Sequence, residues 1–329
     1  MRAIVLTTPG GPAVLGVTEV PTPQPGPGEV RVRAEAIGLG RPDVLVRKGT
    51  YKWMPTLPAI PGSEMAGIVE ARGEGAQALS IGQRVVVSAR ELAVRGGCYA
   101  EFICVPEAAV FPLPANVPAI DAVSLPNFQL ALALMRCNGG MPVSSVFVPG
   151  AAGGVGSALT QVARSRGALV IGTASTPEKQ AYASANGVSH LVGSDPETLP
   201  HAVKELTGGR GVDLAFDHLG GTSLIACLRS LAPLGMVVSY NVVTGPPSAD
   251  VFAEMRSLLG RSLALRTFSM HTFDEVAQDR RALMREAIEL LASGACKAPA
   301  AHVLPLDSIR QAHELLDAGA SLGKIVLVP

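Results

Sequence analysis

Glycines at 150, 153 and 156 are the residues of this chain whose spacing most directly implies chemistry. The run Ser145-Val146-Phe147-Val148-Pro149-Gly150-Ala151-Ala152-Gly153-Gly154-Val155-Gly156-Ser157 reads as a buried strand, a glycine-rich turn and the start of a helix. Val155, Ala158, Leu159, Val162 and Ala163 then fall on one apolar helix face. Gly167 stands where a helix C-terminal glycine belongs, with Arg164 and Arg166 complementing the dipole in the last turn. Small residues at such a turn let a diphosphate reach the backbone, and the amides of the helix N-terminus bind it without a charged side chain. Gly150, Ala152, Gly153, Gly154, Val155 and Gly156 are therefore the expected cofactor-binding segment. The competing explanation is a tight turn kept for packing alone.

The next strand bears on which dinucleotide is held. A chain that selects NAD usually carries Asp or Glu about 20 residues further on, accepting from the ribose 2′-hydroxyl. Here Leu169–Thr173 runs into Ala174-Ser175-Thr176-Pro177-Glu178-Lys179, with no acid at the strand end. Thr176 is expected to cap the following helix, with Pro177 at its first position. Lys179 then lies in the first turn, where the dipole disfavours a cation. A 2′-phosphate held by Ser175, Thr176 and Lys179 would account for that placement, so NADPH is the expected cofactor. A solvated lysine is the alternative.

The elements that position these residues divide the chain. Over the first 110 or so residues, short strands such as Glu29–Ile37 and Gln83–Val87 alternate charge with apolar side chains, separated by Pro/Gly clusters at 21–28 and 55–62. That texture predicts a β barrel or sandwich. After Pro118, strands (Ser145–Val148, Leu169–Thr173, His190–Val192, Val212–Phe216, Met236–Tyr240) alternate with helical segments, the signature of a parallel sheet. A helix (Arg281–Ala292), a strand (Ala301–Leu304), a helix (Leu306–Ala318) and a strand (Lys324–Val328) close the chain. The expectation is an α/β protein in which residues 120–265 form an inserted domain, and residues 1–119 and 266–329 a β-rich one.

Composition excludes several classes. Among 329 residues, 27 Lys plus Arg balance 27 Asp plus Glu, so no basic field gathers nucleic acid. One Trp, four Tyr and eight Phe are too few for base-stacking platforms. No apolar run reaches the length of a membrane span, and the N-terminal strand-like run is too short for a signal-peptide core. A cytoplasmic protein is expected. The five cysteines are far apart, with no Cys-x-x-Cys or His-x-x-x-His spacing, so neither a disulfide framework nor a metal site is expected.

Several segments together resemble the medium-chain dehydrogenase/reductase superfamily, and within it the zinc-free quinone oxidoreductase branch that includes zeta-crystallin-type proteins and polyketide enoyl reductases. They are Gly10–Leu15, Ala36–Leu39, Pro61-Gly62-Ser63-Glu64-Met65-Ala66-Gly67-Ile68-Val69, Gly82–Val85, Ala151–Gly156, Phe216-Asp217-His218-Leu219-Gly220-Gly221 and Gly323–Leu327. The resemblance implies a GroES-like β-rich catalytic domain and an inserted Rossmann domain, a doubly wound parallel sheet that binds NADPH, with the active site between them. Zinc-dependent relatives carry Cys where this chain has Gly40 and His where it has Ser63. Their cysteine-rich loop is missing around residues 88–97. No Lewis acid is then expected, and alcohol dehydrogenation is disfavoured. The Asn common in quinone oxidoreductases is also absent at 40, and Leu130 replaces a family threonine in Asn127-Phe128-Gln129-Leu130-Ala131.

The chemistry so implied is hydride transfer from NADPH to a quinone or an α,β-unsaturated carbonyl compound, with donors stabilising the developing oxyanion. Matching positions offer Tyr51 and Asn127 as catalytic candidates and Asn241 as a contact to the nicotinamide ribose. Tyr51 either donates a hydrogen bond or proton, or caps an apolar pocket; Asn127 either contacts substrate or caps the helix after Pro126. Arg41, Trp53 and Phe268 are substrate-pocket candidates. A salt-bridged loop is the simpler account of Arg41 and Asp43, and burial that of Trp53 and Phe268; His218, after a strand end, either lies near the adenosine that the resemblance implies or is a surface loop histidine. Two alternative functions stand beside this reading: a trans-acting enoyl-thioester reductase of a biosynthetic pathway, and a catalytically silent NADPH-binding protein. The resemblance also implies a homodimer, with Leu263–Phe268 as a sheet edge available for pairing.

Overall fold

The computed structural model describes residues 1–298 and 302–329. The chain opens with β1 (Arg2–Ile4), paired antiparallel to β2 (Val17–Glu19), and continues into the eleven-residue β3 (Glu29–Leu39). Alternation along β3 buries Val30, Val32, Ala34 and Ala36 and turns Arg31, Arg33 and Glu35 to the other face. From Ile37 the alternation stops and Gly38 and Leu39 are buried too, because both faces of the strand are covered there. Then come α1 (Arg41–Arg47), β4 (Glu64–Arg72), β5 (Arg84–Ser88), β6 (Phe102–Pro106), β7 (Val110–Pro112), α2 (Ala119–Ala122) and α3 (Leu125–Met135).

The alternating part follows: β8 (Ser145–Val148), α4 (Gly154–Ser165), β9 (Leu169–Gly172), α5 (Pro177–Ala185), β10 (His190–Leu191) and α6 (Leu199–Leu206). It continues through β11 (Val212–Asp217), α7 (Gly221–Arg229), β12 (Leu231–Ser239), α8 (Val251–Ser257), β13 (Ala264–Thr267) and α9 (Ala277–Ala292). The chain closes with β14 (His302–Pro305), α10 (Ile309–Asp317) and β15 (Ile325–Val328). Two compact units result, one of residues 1–126 and 288–329, the other of residues 127–287.

In the first unit β3 is the spine of a seven-stranded sheet ordered β14-β15-β3-β4-β5-β7. One edge of β3 pairs with β4. The other is shared, residues 29–33 pairing with β6 and residues 37–39 with β15. Pairs are antiparallel except β14 with β15. Ile4, Val32, Leu39, Met65, Val85, Tyr99 and Leu327 belong to its core. On the outer side, Arg31 pairs with Glu70 of neighbouring β4 (2.9 Å), and Arg84 of β5 reaches across β4 to Glu35 of β3 (3.0 Å).

The second unit has a six-stranded, all-parallel sheet ordered β10-β9-β8-β11-β12-β13. Counted within the unit this is 3-2-1-4-5-6, the doubly wound Rossmann order, and its winding reverses between β8 and β11. All four residues of β8 are buried, as a central parallel strand requires. Asp213 on β11 accepts from the amides of Ser144 and Ser145 (2.8 and 3.0 Å), pinning the entry of β8 beside it. Phe147, Ile171, Val212, Ala215 and Val237 share the core with α6 and α7.

Some expectations need correction. The second unit extends to Ala287 rather than stopping at 265, because β13 pairs with β12 and the buried Gln129 side chain of α3 donates to Arg280 O at 2.8 Å. Strand β12 begins at Leu231, not Met236. Leu231 pairs with Val212 and Met236 with Leu214, around an irregularity that holds Pro233 and puts Leu234 at φ 64°. The helix expected over Leu306–Ala318 is a 3₁₀ turn (Leu306–Ser308) followed by α10. Ala301, the expected first residue of β14, lies outside the described residues.

Candidate functional site

The glycine turn leaves β8 at its C-terminal end. Gly150 has φ +62°, a conformation open to glycine, and its amide donates to Thr173 Oγ1 at 3.1 Å. Ala151 N donates to Thr173 O at 2.9 Å and Gly153 N to Gly150 O at 3.0 Å, which fixes the loop. Helix α4 begins at Gly154 with no side-chain cap, and Ser157 N is the first amide to bond back along it, to Gly153 O at 2.8 Å. The amides of Gly154, Val155 and Gly156 are thus the orphan donors of the first turn. Behind them Ala158, Leu159, Val162 and Ala163 are buried, Val155 half-buried, and Gly167 (φ +81°) follows the helix end.

Two glycines of this turn serve different needs. A Cβ on Gly156 would lie 2.5 Å from Gly150 O and 2.9 Å from Ala151 Cα, so packing alone demands glycine there. Gly153 has an ordinary φ of −75°, and its Cβ would approach nothing closer than 3.4 Å. The protein's own packing does not require glycine at 153. A ligand brought against the backbone would, and the turn therefore fits a diphosphate group.

At the end of β9, Thr176 caps α5 by accepting from Lys179 N at 3.3 Å, with Pro177 in the first turn. Lys179 Nζ lies 3.3 Å from Ser175 Oγ. The structure therefore gathers Ser175, Thr176 and Lys179 at one strand end with no carboxylate at the end of β9. A cavity of about 160 Å³ opens nearby, its lining including Pro149, Thr173, Ser194, Leu219, Gly220 and Thr244. Pro149 and Thr173 lie in the segments read as strand and turn, and Leu219 and Gly220 in one that carries the family resemblance; Ser194 and Thr244 come from loops without local pattern. Asp217, at the end of β11, accepts from Leu219 N, Gly220 N and Ser223 Oγ (3.3, 3.0 and 2.8 Å), which organises that loop.

The other second-unit candidates are more dispersed. Asn127 lies inside the first turn of α3, which starts at Leu125, so it is not the cap residue. Its side chain makes no hydrogen bond among the described residues, while the neighbouring Phe128 and Gln129 are buried. Asn241 is exposed and its Oδ1 accepts from Val242 N at 2.9 Å. Phe268 N donates to Ser239 O (2.8 Å), continuing the β12 pairing, and its ring lies tilted against Phe273, ring centroids 6.4 Å apart. His218 is half-buried, which does not fit the surface-loop alternative. Its Nδ1 is buried, its ring packs on Tyr240, and burial lowers its pKa to about 4.

In the first unit, Tyr51 packs partly buried against the core, 5.7 Å from the Trp53 ring. Trp53 is 36% exposed and carries Lys52 Nζ and Arg95 Cζ at 5.2 and 5.7 Å from its ring centroid. The expected Arg41–Asp43 salt bridge is not formed among the described residues. Asp43 is buried and uses one oxygen for Gly40 N (2.8 Å) and the other for Ser63 Oγ (2.7 Å). Burial, with Glu64 nearby, raises its carboxyl to about 6. Glu64 is paired with the buried Lys324. Gly38 leaves the space this pair needs, since a Cβ there would meet Lys324 Cε at 2.8 Å. Half-buried Arg41 opens α1 without an ion pair among the described residues.

A sheet wound in this order, in one chain with an antiparallel β unit, is the architecture of a dehydrogenase-type oxidoreductase. Residues 26–115 match the family model of the alcohol dehydrogenase GroES-like domain, and residues 154–293 that of zinc-binding dehydrogenases. The chain belongs to the medium-chain dehydrogenase/reductase superfamily. Over its whole length it is 31% identical to a quinone oxidoreductase of Rattus norvegicus, 98% of which is covered. It is also similar to a mycobacterial protein solved complexed with NADPH, at 33% identity and a TM-score of 0.87. A third similarity is to an NAD-dependent alcohol dehydrogenase, at 31% identity and a TM-score of 0.88. For both structures the two chains are fully covered.

The buried acids give a direct test of the first unit. Lys324→Met leaves Glu64 and Asp43 buried without their cation and should cost about 3–5 kcal/mol. Urea unfolding of that unit should show the loss, and the double variant Glu64→Gln/Lys324→Met should recover much of it.

Proposed function

We propose that this chain is a zinc-independent, NADPH-dependent oxidoreductase that passes a hydride to a quinone or an α,β-unsaturated carbonyl compound. The observation that carries the reading is the uncapped first turn of α4, with a glycine at 153 that the fold itself does not need. The Lys179–Ser175 pair at the end of β9, in place of an acid, supports the phosphorylated dinucleotide over NAD. The similarity to the rat quinone oxidoreductase and to the NADPH-bound mycobacterial structure supports the same choice. Gly40 has no side chain, and the Ser63 hydroxyl is engaged by Asp43, so the positions that hold zinc ligands in metal-dependent relatives supply none here. That favours a metal-free reaction over the alcohol dehydrogenase chemistry of the third similar protein.

Bound NADPH supplies a hydride from its reduced nicotinamide. In this reading the amides of Ala152, Gly154, Val155 and Gly156 hold the diphosphate, which Gly153 lets approach, and Ser175, Thr176 and Lys179 the 2′-phosphate. Asn241 contacts the nicotinamide ribose. Tyr51 and Asn127 are the proposed donors to the substrate oxygen that gains charge, with Arg41, Trp53 and Phe268 shaping its pocket. The proposed roles are catalytic for the unit of residues 1–126 and 288–329, and cofactor-binding for the unit of residues 127–287. Strand β13 ends the parallel sheet, and its outer edge is the proposed seam of a homodimer.

Four outcomes are expected. Purified protein should consume NADPH in the presence of quinones or simple enones, lose rate with Tyr51→Phe, and keep its activity after treatment with a zinc chelator. Turnover restricted to crotonyl-type thioesters would identify the trans-acting reductase instead, and tight NADPH binding without consumption across the panel a silent binder. In fluorescence titrations, Gly153→Val should fold normally yet lose NADPH affinity at least tenfold. Lys179→Glu should weaken NADPH by roughly ten- to a hundredfold and leave NADH unaffected, the scale of a lost charge-assisted hydrogen bond. Light scattering should give the mass of a dimer; a monomer would reject pairing through β13.

A further inference from the structure

A second cavity of the second unit, about 360 Å³, opens at the other end of β8 from the glycine turn. Its lining includes Met135 and Arg136 at the end of α3, Asn138, Met141 and Val143 in the loop leading to β8, and Arg166 just after α4. The four residues of β8 separate it from the turn, about 13 Å at the rise of a parallel strand. The volume falls within the range of about 300–1,000 Å³ of small-molecule sites. It is a place of its own, apart from the dinucleotide crevice.

Its walls are of two kinds. Met135 is buried, Val143 half-buried and Met141 49% exposed, and no aromatic ring lines the space. Asn138 shapes the rim, accepting from Gly140 N at 3.2 Å and donating to Met141 O, while Gly139 and Gly140 turn the chain at φ +68° and +86°. Opposite in character are the two guanidinium groups. Arg136 donates to Glu286 Oε2 and Arg166 to Glu286 Oε1 (3.3 Å), and neither makes another side-chain hydrogen bond among the described residues. A guanidinium carries five N–H donors, so most of each fork is unspent. Two cations on one carboxylate also leave a unit of positive charge beside an apolar wall. Asp213, near in the chain to Val143, does not offset it, being taken by Ser144 N, Ser145 N and Arg210 (2.8, 3.0 and 2.7 Å). Helix dipoles favour a cation at each helix end, but they do not aim both at the same carboxylate.

We propose that this cavity binds a small amphipathic anion, an aliphatic carboxylate whose charged end pairs with Arg136 and Arg166 and whose chain lies against Met135, Met141 and Val143. Planar forks match a carboxylate, and unbranched thioether side chains adapt to a flexible chain. Glu286 is then the internal carboxylate that holds the two arginines together and competes with the ligand for them. The inference does not rest on the NADPH reading.

The test is a titration of the full chain, labelled with ¹³C at the methionine methyl groups, with octanoate and with octanol. The Met135 and Met141 resonances should shift saturably with octanoate while those of Met54 and Met65 in the first unit stay fixed. Octanol, with the same chain and no charge, should bind at least tenfold more weakly, the scale of a lost charge-assisted hydrogen bond. Both results come from the unaltered protein and do not depend on any variant's folding. Arg136→Gln/Arg166→Gln should reduce octanoate affinity to that of octanol, and Glu286→Gln, which removes the competing carboxylate, should raise it severalfold. Octanoate that produces no saturable shift, octanol that binds as well as octanoate, or affinity unmoved in the double arginine variant would each overturn the proposal.

Discussion

The amides at the start of α4 are the constraint around which the second unit is arranged. A helix leaves its first amides without partners, and here no side chain caps them. The sheet order puts them at the one place where the winding reverses, and the Thr173 hydroxyl and carbonyl lock the preceding loop. Gly156 lets that loop close on itself, whereas Gly153 leaves the approach from outside open. Packing therefore accounts for glycine at 156, and the open approach at 153 is what the proposed diphosphate site rests on.

The first unit handles polarity in the opposite way. Its β3–β4 region encloses Asp43, Glu64 and Lys324, each nearly inaccessible, and satisfies them internally. Three charged side chains in a low-dielectric region are tolerable only because amide, hydroxyl and ammonium donors surround the carboxylates. Loss of the side chain at 40 and replacement by a hydroxyl at 63 leave a hydrogen-bonded cluster centred on Asp43, whose raised pKa records how little solvent reaches it.

Much of the architecture was legible because it depends on local periodicity. Alternation over Glu29–Ala36, the apolar run Val146–Val148 of β8, the Thr176-Pro177 helix start and the stop at Gly167 all have short-range causes. What escaped depends on partners distant in the chain. The irregularity in β12 is set by pairing with Val212, and the extent of the second unit by a hydrogen bond between residues 129 and 280. The site divided the same way. The glycine turn and the Ser175–Lys179 grouping were visible as motifs, whereas Thr244 and the burial of His218 arise where loops after separate strands converge. Arg41 and Asp43 looked like partners from proximity, but helix α1 turns Asp43 inward to Gly40 and Ser63.

The divided edge of β3 has a consequence for how the molecule is made. Residues 37–39 pair with β15, which emerges from the ribosome almost three hundred residues later. Until then that stretch of β3 has an open flank, and its apolar side chains lack the cover that Ile325 and Leu327 provide. The second unit, contiguous in the chain and parallel throughout its sheet, has all its strands available much earlier. Vectorial synthesis therefore favours a nascent chain in which the inserted half matures while the surrounding one waits for its last strand.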